Sequence, residues 1–466
     1  MTDTFDLIII GSGTGNSIPE DMSHMKIALV ERSVFGGTCL NKGCIPSKMF
    51  VLPADIAHAA GDSSRLGLDT SFNGADWPAI RDRVFGRIDA IAAGGEDYRA
   101  TGTPNVTLVR GTAVFEPNRE DGNLVVHISD GLDQGSRLSA PVFLLAAGAR
   151  PVMPLIDGLD QVRHHSSDSI MRLETFPERL GIVGGGFIAA EMGHVFSGLG
   201  STVHMFNRSD RLLRAFDGEI AQRFTELFAD RVEMHLGCVP ESVEQRGDVI
   251  VLRCHDNGVG FEIEVDELLI ATGRRPNSDL LDVDAVGIAT HPDGRVVVDE
   301  TMATSVPGVY ALGDLSNSFQ LKHLANAEGK VAFANIAHPD GPPQTMSYKA
   351  VPSAVFSHPQ IATVGLTEEQ ATEQGIPYVV GKRDYGGTAY GWALVDETSF
   401  AKVMVDTETG LIVGAHIIGP QAASLIQPLI QAMQFDQTAA DVATKVLYIH
   451  PALTEVVENA LLEALS

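Results

Sequence analysis

The sequence predicts an α/β fold in which two domains with parallel sheets precede a C-terminal α+β domain. Two segments, which begin near residues 5 and 180, share the order apolar strand, glycine-rich turn, helix and second strand. This order is typical of the βαβ unit of Rossmann-like dinucleotide-binding domains. From about Tyr348 the sequence changes to alternating strands and one long helical pattern around Ala422 to Met433, which indicates a domain of another kind.

The first βαβ unit begins with the apolar strand over residues 5–10 and ends with a second strand at Glu31. Between them lie the turn over residues 11–16, GSGTGN, and a short helical stretch. Glycine lets the backbone approach a pyrophosphate, and an acid about 20 residues further on bonds ribose hydroxyls. Asn16 replaces the third small residue of the usual fingerprint, so this turn alone fits an ordinary glycine-rich turn equally well.

The second βαβ unit has the fingerprint Gly184-x-Gly186-x-x-Ala189 between strands at 180–183 and 202–206. Two complete fingerprints in one chain predict two bound dinucleotides, FAD and a nicotinamide coenzyme.

Three arginines follow the last strand of this unit, where a site for NAD usually has an acid on the ribose hydroxyl. They are Arg208, Arg211 and Arg214. Guanidinium groups suit a 2′-phosphate, so the sequence favours NADPH. The alternative is a solvated basic stretch, which is less expected in a chain whose net charge is −27.

Composition excludes several classes of function. The chain has 33 Lys and Arg against 60 Asp and Glu, which disfavours nucleic acid and anionic membranes as partners. No stretch approaches the roughly 18 apolar residues of a membrane span, and the first ten residues lack the basic start of a secretory signal. We therefore expect a cytoplasmic protein.

Two of the four cysteines lie close together in the segment over residues 36–48, GGTCLNKGCIPSK. No second cluster completes a ligand set for zinc, so a metal site is not expected. Cys39 and Cys44 stand five apart at a predicted helix start, where the helix N-terminus lowers a thiol pKa, and this pattern indicates a redox-active disulfide. Cys238 and Cys254 are isolated in β-rich sequence and are interpreted as small buried side chains.

The cysteine segment, the two fingerprints, the run YALGD over 310–314 and the run HPALTE over 450–455 occur in this order along essentially the whole chain. Together they resemble the FAD-dependent pyridine nucleotide–disulfide oxidoreductases, the group of glutathione reductase and lipoamide dehydrogenase. The resemblance implies four segments: a first FAD-binding part over 1–150, an NADPH-binding domain over 151–273, a second, central FAD-binding part over 274–345 and a dimerisation domain over 346–466.

The resemblance also implies roles for single residues. Cys39 is the thiol that attacks the substrate, Cys44 faces the flavin, and Lys48 pairs with Glu191 near the flavin. Phe187 stands where many relatives have a tyrosine over the nicotinamide pocket, and Asp314 bonds the ribityl chain. The residues expected at FAD are Gly11, Ser12, Gly13, Glu31, Arg32, Gly37, Thr38, Lys48, Ala113, Ala147, Gly148, Asp314, His323 and Ala325. Those expected at NADPH are Gly184, Gly186, Phe187, Ile188, Glu191, Arg208, Arg214, Gly273 and Arg274.

His450 and Glu455 complete the predicted catalytic set. A carboxylate orients an imidazole and raises its basicity, so this pair fits an acid–base catalyst for a thiol. In the resembling family the pair comes from the neighbouring subunit, which implies a homodimer with shared active sites.

The charges on the predicted first helix, over residues 17–25, indicate which kind of substrate the site accepts. This helix is interrupted by Pro19 and carries Glu20 and Asp21 with no lysine or arginine, whereas glutathione reductases have basic residues there for substrate carboxylates. A small, uncharged disulfide is therefore favoured. The alternatives are a lipoamide dehydrogenase or glutathione-type reductase, a soluble transhydrogenase, which does not need both cysteines, and a flavin-binding protein without catalysis. The absence of an extra cysteine pair disfavours mercuric reductase and large thioredoxin reductases.

Overall fold

The fold is that of a computed structural model, which describes residues 1–256 and 259–466. Its strands are β1 Thr2–Thr4, β2 Leu7–Ile10, β3 Ile27–Glu31, β4 Val106–Arg110, β5 Ala113–Glu120, β6 Asn123–Ile128, β7 Arg137–Ala140, β8 Val142–Leu145, β9 Ala149–Pro151, β10 Arg179–Val183, β11 Thr202–Asn207, β12 Glu233–Leu236, β13 Ser242–Arg246, β14 Val249–Asp256, β15 Val259–Val265, β16 Glu267–Ile270, β17 Arg274–Pro276, β18 Val309–Ala311, β19 Pro352–Val355, β20 Ile361–Gly365, β21 Tyr378–Asp384, β22 Phe400–Asp406 and β23 Ile412–Ile418. Its α-helices are α1 Gly37–Asn41, α2 Cys44–Gly61, α3 Trp77–Thr101, α4 Phe187–Gly198, α5 Gly218–Ala229, α6 Ser278–Leu281, α7 Lys322–Ala337, α8 Glu368–Glu373, α9 Ala389–Leu394, α10 Ala422–Leu425, α11 Gln427–Gln434, α12 Ala439–Lys445 and α13 Thr454–Ala464.

The chain divides into two compact units, each made of three segments of sequence. The first unit comprises Met1–Pro46, Ala79–Val152 and Gly273–Ser347, and the second comprises Ser47–Pro78, Met153–Thr272 and Tyr348–Ser466. The finer division into four segments at residues 150, 273 and 345 stays a prediction.

The first unit is built on a five-stranded parallel sheet in the order β18-β8-β2-β3-β4. All four residues of β2 are buried, as expected for a central strand of a parallel sheet that is covered on both faces. Strands β1, β7, β6 and β5 form a second, mixed sheet, and its apolar side chains share one core with those of the parallel sheet. Because β2 and β3 are parallel neighbours, their carboxyl ends lie side by side. This places the first glycine turn beside Glu31.

The second unit repeats the parallel arrangement in a four-stranded sheet of order β12-β11-β10-β16. A three-stranded antiparallel sheet, β13-β14-β15, packs beside it through one shared core. The segment after Tyr348 supplies a five-stranded antiparallel sheet, β19-β20-β23-β22-β21. Helices α11, α12 and α13 bury their apolar faces on that sheet. The predicted α/β fold class is confirmed.

Two predicted helices differ in the structure. The helix expected over residues 17–25 is replaced by 3₁₀ turns at Thr14–Asn16 and Glu20–Met22. Pro19 has extended backbone and no N–H group, so an α-helix cannot continue through it. The helix expected around 422–433 is divided into α10 and α11 because Pro428, in the first turn of α11, cannot donate to the carbonyl of Ser424.

In the part of the chain that the structure describes, none of the helices has the length and apolarity of a membrane span.

Candidate active site

The first glycine turn and the cysteine helix α1 are packed backbone to backbone. Gly37 has a φ of +73°, and a Cβ there would lie 2.6 Å from the Cα of Gly13. Only glycine tolerates both the left-handed conformation and this approach. The two glycines before Thr38 therefore place Cys39 beside the turn over residues 11–16.

Cys39 and Cys44 form a pair of thiols in hydrogen-bond contact. Cys39 is half-buried, and Cys44 is exposed at the first residue of α2. The hydrogen bond with Cys44, followed by burial, raises the pKa of the Cys39 thiol far above its ordinary value. Burial and the contact with Cys44 therefore favour the protonated form of the Cys39 thiol.

Glu31 holds the first glycine turn in place through hydrogen bonds. Its carboxylate accepts hydrogen bonds from the backbone N–H and hydroxyl of Ser12, at 2.9 and 2.6 Å, and from the backbone N–H of Ser33 at 2.8 Å. The hydroxyl of Ser12 in turn accepts from the N–H of Gly36 at 2.8 Å. The end of β3, the glycine turn and the start of α1 are thus held in one hydrogen-bonded group.

Asp314 lies in a 3₁₀ turn that a buried glutamate holds in place. Glu328 accepts from the N–H of Gly313 at 2.7 Å and from the side-chain amide of Asn317 at 2.9 Å. Burial raises the pKa of the Asp314 carboxyl, and the neighbouring guanidinium of Arg274, at 3.9 Å, opposes this shift. A desolvated carboxyl that can hold its proton suits a hydrogen bond to a ligand hydroxyl.

Arg274, one of the residues expected at NADPH, lies in a buried position. Its side chain is only 7% exposed, donates to the carbonyl of Ala149 at 2.6 Å and lies beside Asp314. Gly273 and Arg274 belong to the first unit, with the residues expected at FAD, whereas the other residues expected at NADPH belong to the second unit. The assignment of Arg274 to NADPH stays a prediction.

The remaining residues expected at FAD lie in the first unit, except Lys48. Ala113, Ala325, Ser12 and Glu31 are buried; Gly11, Gly13, Gly37, Ala147, Gly148 and Asp314 are half-buried; Arg32, Thr38 and His323 are exposed. Arg99 explains why Asn16 is accepted in the fingerprint: its guanidinium donates to the side-chain and backbone oxygens of Asn16 at 2.6 and 2.8 Å.

The second glycine turn joins β10 to α4 in the second unit. Gly184 has a φ of +139°, and a Cβ there would lie 2.2 Å from the carbonyl oxygen of Ala271. Gly186, Phe187 and Ile188 follow at the start of α4, where Gly186 and Phe187 are exposed. This arrangement presents the N–H groups of the helix start to solvent, as an anion-binding turn requires.

Asn207 shapes the segment that carries the three arginines. Its side-chain amide donates to the carbonyls of Ser209 and Arg211 at 3.2 and 2.8 Å. Arg208 and Arg214 are exposed and Arg211 is half-buried. None of the three pairs with a carboxylate of the described residues, so their positive charges remain open to a ligand.

Buried polar atoms without hydrogen-bond partners, and empty space beside a glycine, indicate whether dinucleotides fit the two glycine turns. Among the described residues, Oδ1 of Asn41 and Nε of Arg211 are buried without a hydrogen-bond partner. A Cβ on Gly186 would meet no described atom within 4 Å. A polar ligand at each turn would supply hydrogen-bond partners for the two unpaired atoms and would occupy the open space beside Gly186. The residues present therefore fit a dinucleotide at both turns.

Lys48 and Glu191 form a close ion pair in the second unit. The Lys48 ammonium donates to both carboxylate oxygens of Glu191, at 2.7 and 2.8 Å. Glu191 is buried on the largely apolar helix α4 and also accepts from the N–H of Phe356 at 3.1 Å. The ring of Phe356 lies 4.7 Å from the ammonium. Both interactions fix the position of the Lys48 charge.

A second polar contact supports the same pair of helices. His194, one turn after Glu191 on α4, bonds Asp55 of α2 at 2.8 Å through Nε2. Arg231 donates to Nδ1 of His194 at 3.0 Å, which identifies His194 as the neutral tautomer with its proton on Nε2. Burial and the charge of Arg231 keep the pKa of His58 at about 4, so the neighbouring histidine is neutral as well.

His450 and Glu455 are brought together as predicted, with 2.8 Å between Nδ1 and Oε1. The hydrogen bond from His450 holds the pKa of Glu455 below its ordinary value. The imidazole itself is 71% exposed, and the preceding apolar side chains Val446, Leu447 and Ile449 are exposed too. The carboxylate of Glu455 orients the imidazole of His450, and the ring is accessible to solvent. Both features fit an acid–base catalyst whose ring is covered when another protein surface binds there.

Three contacts were missed from the sequence. Cys238 and Cys254, interpreted as isolated, are in contact, and burial raises the pKa of Cys254 to about 12, although both are indeed buried. Phe356 was not connected with Glu191. Lys322, the first residue of α7, lies near the Cys39 thiol; its position eight residues after the YALGD run is the signal that could have identified it.

The family model "Pyridine nucleotide-disulphide oxidoreductase" matches residues 5–329, and the dimerisation domain of the same family matches residues 351–461. The chain belongs to this family. As a pyridine nucleotide–disulphide oxidoreductase, it is an enzyme that uses FAD and a nicotinamide coenzyme.

Relatives from several organisms support this membership of the oxidoreductase family. The chain is 46% identical to mycothione reductase of Mycobacterium tuberculosis over 99% of both chains. It is 35% identical to dihydrolipoyl dehydrogenase of Halobacterium salinarum, over 99% of this chain and 96% of the relative. The structure of the HOCl-induced flavoprotein disulfide reductase RclA from Escherichia coli has the same fold, with a TM-score of 0.81 over 98% of this chain and 99% of the other at 24% identity.

Proposed function

We propose that the protein reduces mycothiol disulfide to mycothiol with NADPH. The observation that carries this proposal is the similarity to mycothione reductase over almost the whole of both chains. Mycothiol is a cysteine-bearing, hydroxyl-rich and uncharged thiol. Glu20 and Asp21 are exposed, and their negative charges favour a neutral substrate over an anionic one. Mycothiol disulfide meets this requirement.

The residues of the dithiol site divide the exchange chemistry between them. His450 removes the proton of Cys39 as its sulfur attacks one substrate sulfur and forms a mixed disulfide, and the first mycothiol leaves with that proton from His450. The Cys44 thiolate then attacks the Cys39 sulfur, releases the second mycothiol and closes the Cys39–Cys44 disulfide. Bound FAD supplies the two-electron transfer that reopens this disulfide. The Lys48–Glu191 pair holds a fixed positive charge for that transfer.

A homodimer with shared active sites is part of the proposal. The C-terminal segment matches a dimerisation domain, and His450 is exposed beside an exposed apolar run over residues 446–449. Exposed apolar side chains of this size favour contact with another protein surface. We infer that the second copy of the chain covers this surface and receives His450 next to its own cysteines.

Arg208 and Arg214 should select NADPH over NADH. Each charge-assisted bond to the 2′-phosphate contributes about 1.5–3 kcal/mol, or a change of about ten- to a hundredfold. Replacing both by glutamine is expected to raise the KM for NADPH and to leave that for NADH nearly unchanged, in steady-state assays with each coenzyme. Arg87→Gln, at another exposed arginine, is the control. Equal losses with both coenzymes would show that the two arginines serve the structure instead.

Substrate preference tests the proposal directly. The kcat/KM for mycothiol disulfide with NADPH is expected to exceed that for glutathione disulfide by at least about 100-fold. Glu20→Lys and Asp21→Lys should narrow this gap by improving turnover of glutathione disulfide, because they replace repulsion of its carboxylates by attraction. Glu408→Lys, at an exposed turn of the second unit, is the matched control. Comparable turnover of glutathione disulfide or lipoamide by the unaltered enzyme would contradict the substrate and leave the disulfide reductase class standing.

A further inference from the structure

Lys322 is a cation that the mechanism above does not use. It is the first residue of the 16-residue helix α7, where the helix dipole adds further positive potential. Its ammonium donates to the hydroxyl of Thr14 at 2.8 Å. Thr14 belongs to the first glycine turn, so this bond fixes the ammonium beside the same turn that packs against the cysteine helix.

The hydroxyl of Thr14 links the lysine to its own helix. It donates to the side-chain oxygen of Asn326 at 3.2 Å, one turn after Lys322 on α7. Helix α7 comes close enough for these bonds because residue 329 is glycine: a Cβ there would lie 2.8 Å from the Cγ2 of Thr14. The position of the Lys322 ammonium is therefore determined by backbone packing as well as by its own hydrogen bond.

The charged and titratable groups that act on Lys322 are Cys39, Cys44 and Asp314, and Asp314 is itself opposed by Arg274. Burial lowers the pKa of Lys322, and the two cysteines and Asp314 oppose that shift. Lys322 in turn lowers the pKa of Cys39. The ammonium is thus close enough to the thiols to act on a charge that forms there.

We propose that Lys322 is a second cationic group of the dithiol site, which stabilises the thiolate formed when the Cys39–Cys44 disulfide is reduced. Two electrons and one proton break the S–S bond and leave a thiol on Cys39 and a thiolate on Cys44. Lys322 keeps its proton throughout and stabilises this anion through its field. The inference rests on the proposed redox role of the two cysteines.

The test is the pH dependence of thiol alkylation in the two-electron-reduced holoenzyme. Iodoacetamide reacts with the thiolate, so the rate of alkylation against pH gives the midpoint of thiolate formation. Lys322→Met is expected to raise this midpoint by about one pH unit and to slow alkylation below the midpoint by about tenfold. Lys322→Arg should keep the midpoint of the unaltered enzyme. Lys330→Met, at an exposed position two turns further along α7, is the matched control and should also keep it.

Two outcomes would overturn the inference: an unshifted midpoint in Lys322→Met, or an equal shift in Lys330→Met. Should Lys322→Met fail to fold or to retain FAD, Lys322→Gln decides the question, because it keeps a hydrogen-bond donor for Thr14 and removes only the charge. A failure of the redox role looks different. If reduction produces no alkylation of Cys39 or Cys44 in the unaltered enzyme, the proposed function fails, and this inference fails with it.

Discussion

Replacing Cys39 by serine is expected to abolish disulfide turnover while leaving the Cys44 thiolate in place. Turnover should fall on the order of 10⁴-fold or more, because a hydroxyl cannot replace the attacking sulfur in thiol–disulfide exchange. Cys44 cannot form a disulfide with residue 39 in this variant and stands at the N-terminus of α2, where the helix dipole favours an anion. The variant should therefore show the long-wavelength absorbance of a thiolate beside oxidised flavin without any reduction.

The unaltered enzyme should develop the same band only after anaerobic two-electron reduction. Cys44→Ser is the matched comparison: it should lose turnover to the same extent and lack the band. Cys238→Ser replaces a buried thiol outside the pair and should retain both turnover and the reduction-dependent band. A band in Cys44→Ser that is missing from Cys39→Ser, with FAD bound in both, would show that the roles of the two cysteines are reversed.

Replacing His450 by alanine is expected to lower kcat/KM for the disulfide by roughly 10²–10⁴-fold, the range for a lost acid–base catalyst. His255→Ala is a matched control, because His255 is also an exposed histidine paired with a glutamate, Glu241, at 3.0 Å. Reduction of the enzyme by NADPH should proceed normally in His450→Ala, since this histidine acts on the substrate thiol. Stopped-flow flavin absorbance separates the two half-reactions.

Mixed dimers test whether His450 acts across subunits. Inactive Cys44→Ser and His450→Ala chains, dissociated and reassembled together, should regain activity, because a heterodimer contains one site with both the cysteines and the histidine intact. Activity of about half that of the unaltered dimer is expected for each heterodimer if its sites work independently. Heterodimers that are demonstrated by differential tagging and remain inactive would place each complete site within one chain.

The glycine turns and the cysteine pair could be predicted from the sequence because their structure is determined by residues that are close together in the chain. A glycine turn after an apolar strand, or two cysteines at a helix start, depends on neighbours a few residues away. The prediction of a helix over residues 17–25 was wrong for a local reason too, because Pro19 prevents an α-helix even though the residues around it have a helical pattern.

The contacts that were missed join distant parts of the chain. Lys322 and Thr14 are 308 residues apart, and Phe356 and Glu191 are 165 residues apart. Hydrophobic periodicity and motif spacing carry no information on which lysine reaches a turn formed by another segment. The contact of Arg274 with Asp314 could not be predicted for the same reason, because the two residues belong to different sequence motifs.

The packing of Gly37 on Gly13 has a consequence for protein engineering. The segment with the two cysteines is short and continuous in sequence, yet the backbone at the start of its helix contacts the first glycine turn so closely that a single methyl group does not fit between them. Transplanting the cysteines into another nucleotide-binding protein would therefore require its glycine turn to be transplanted with them. The same constraint implies that a side chain added to the cysteine segment at this point displaces the backbone of the glycine turn, because the two are in direct contact.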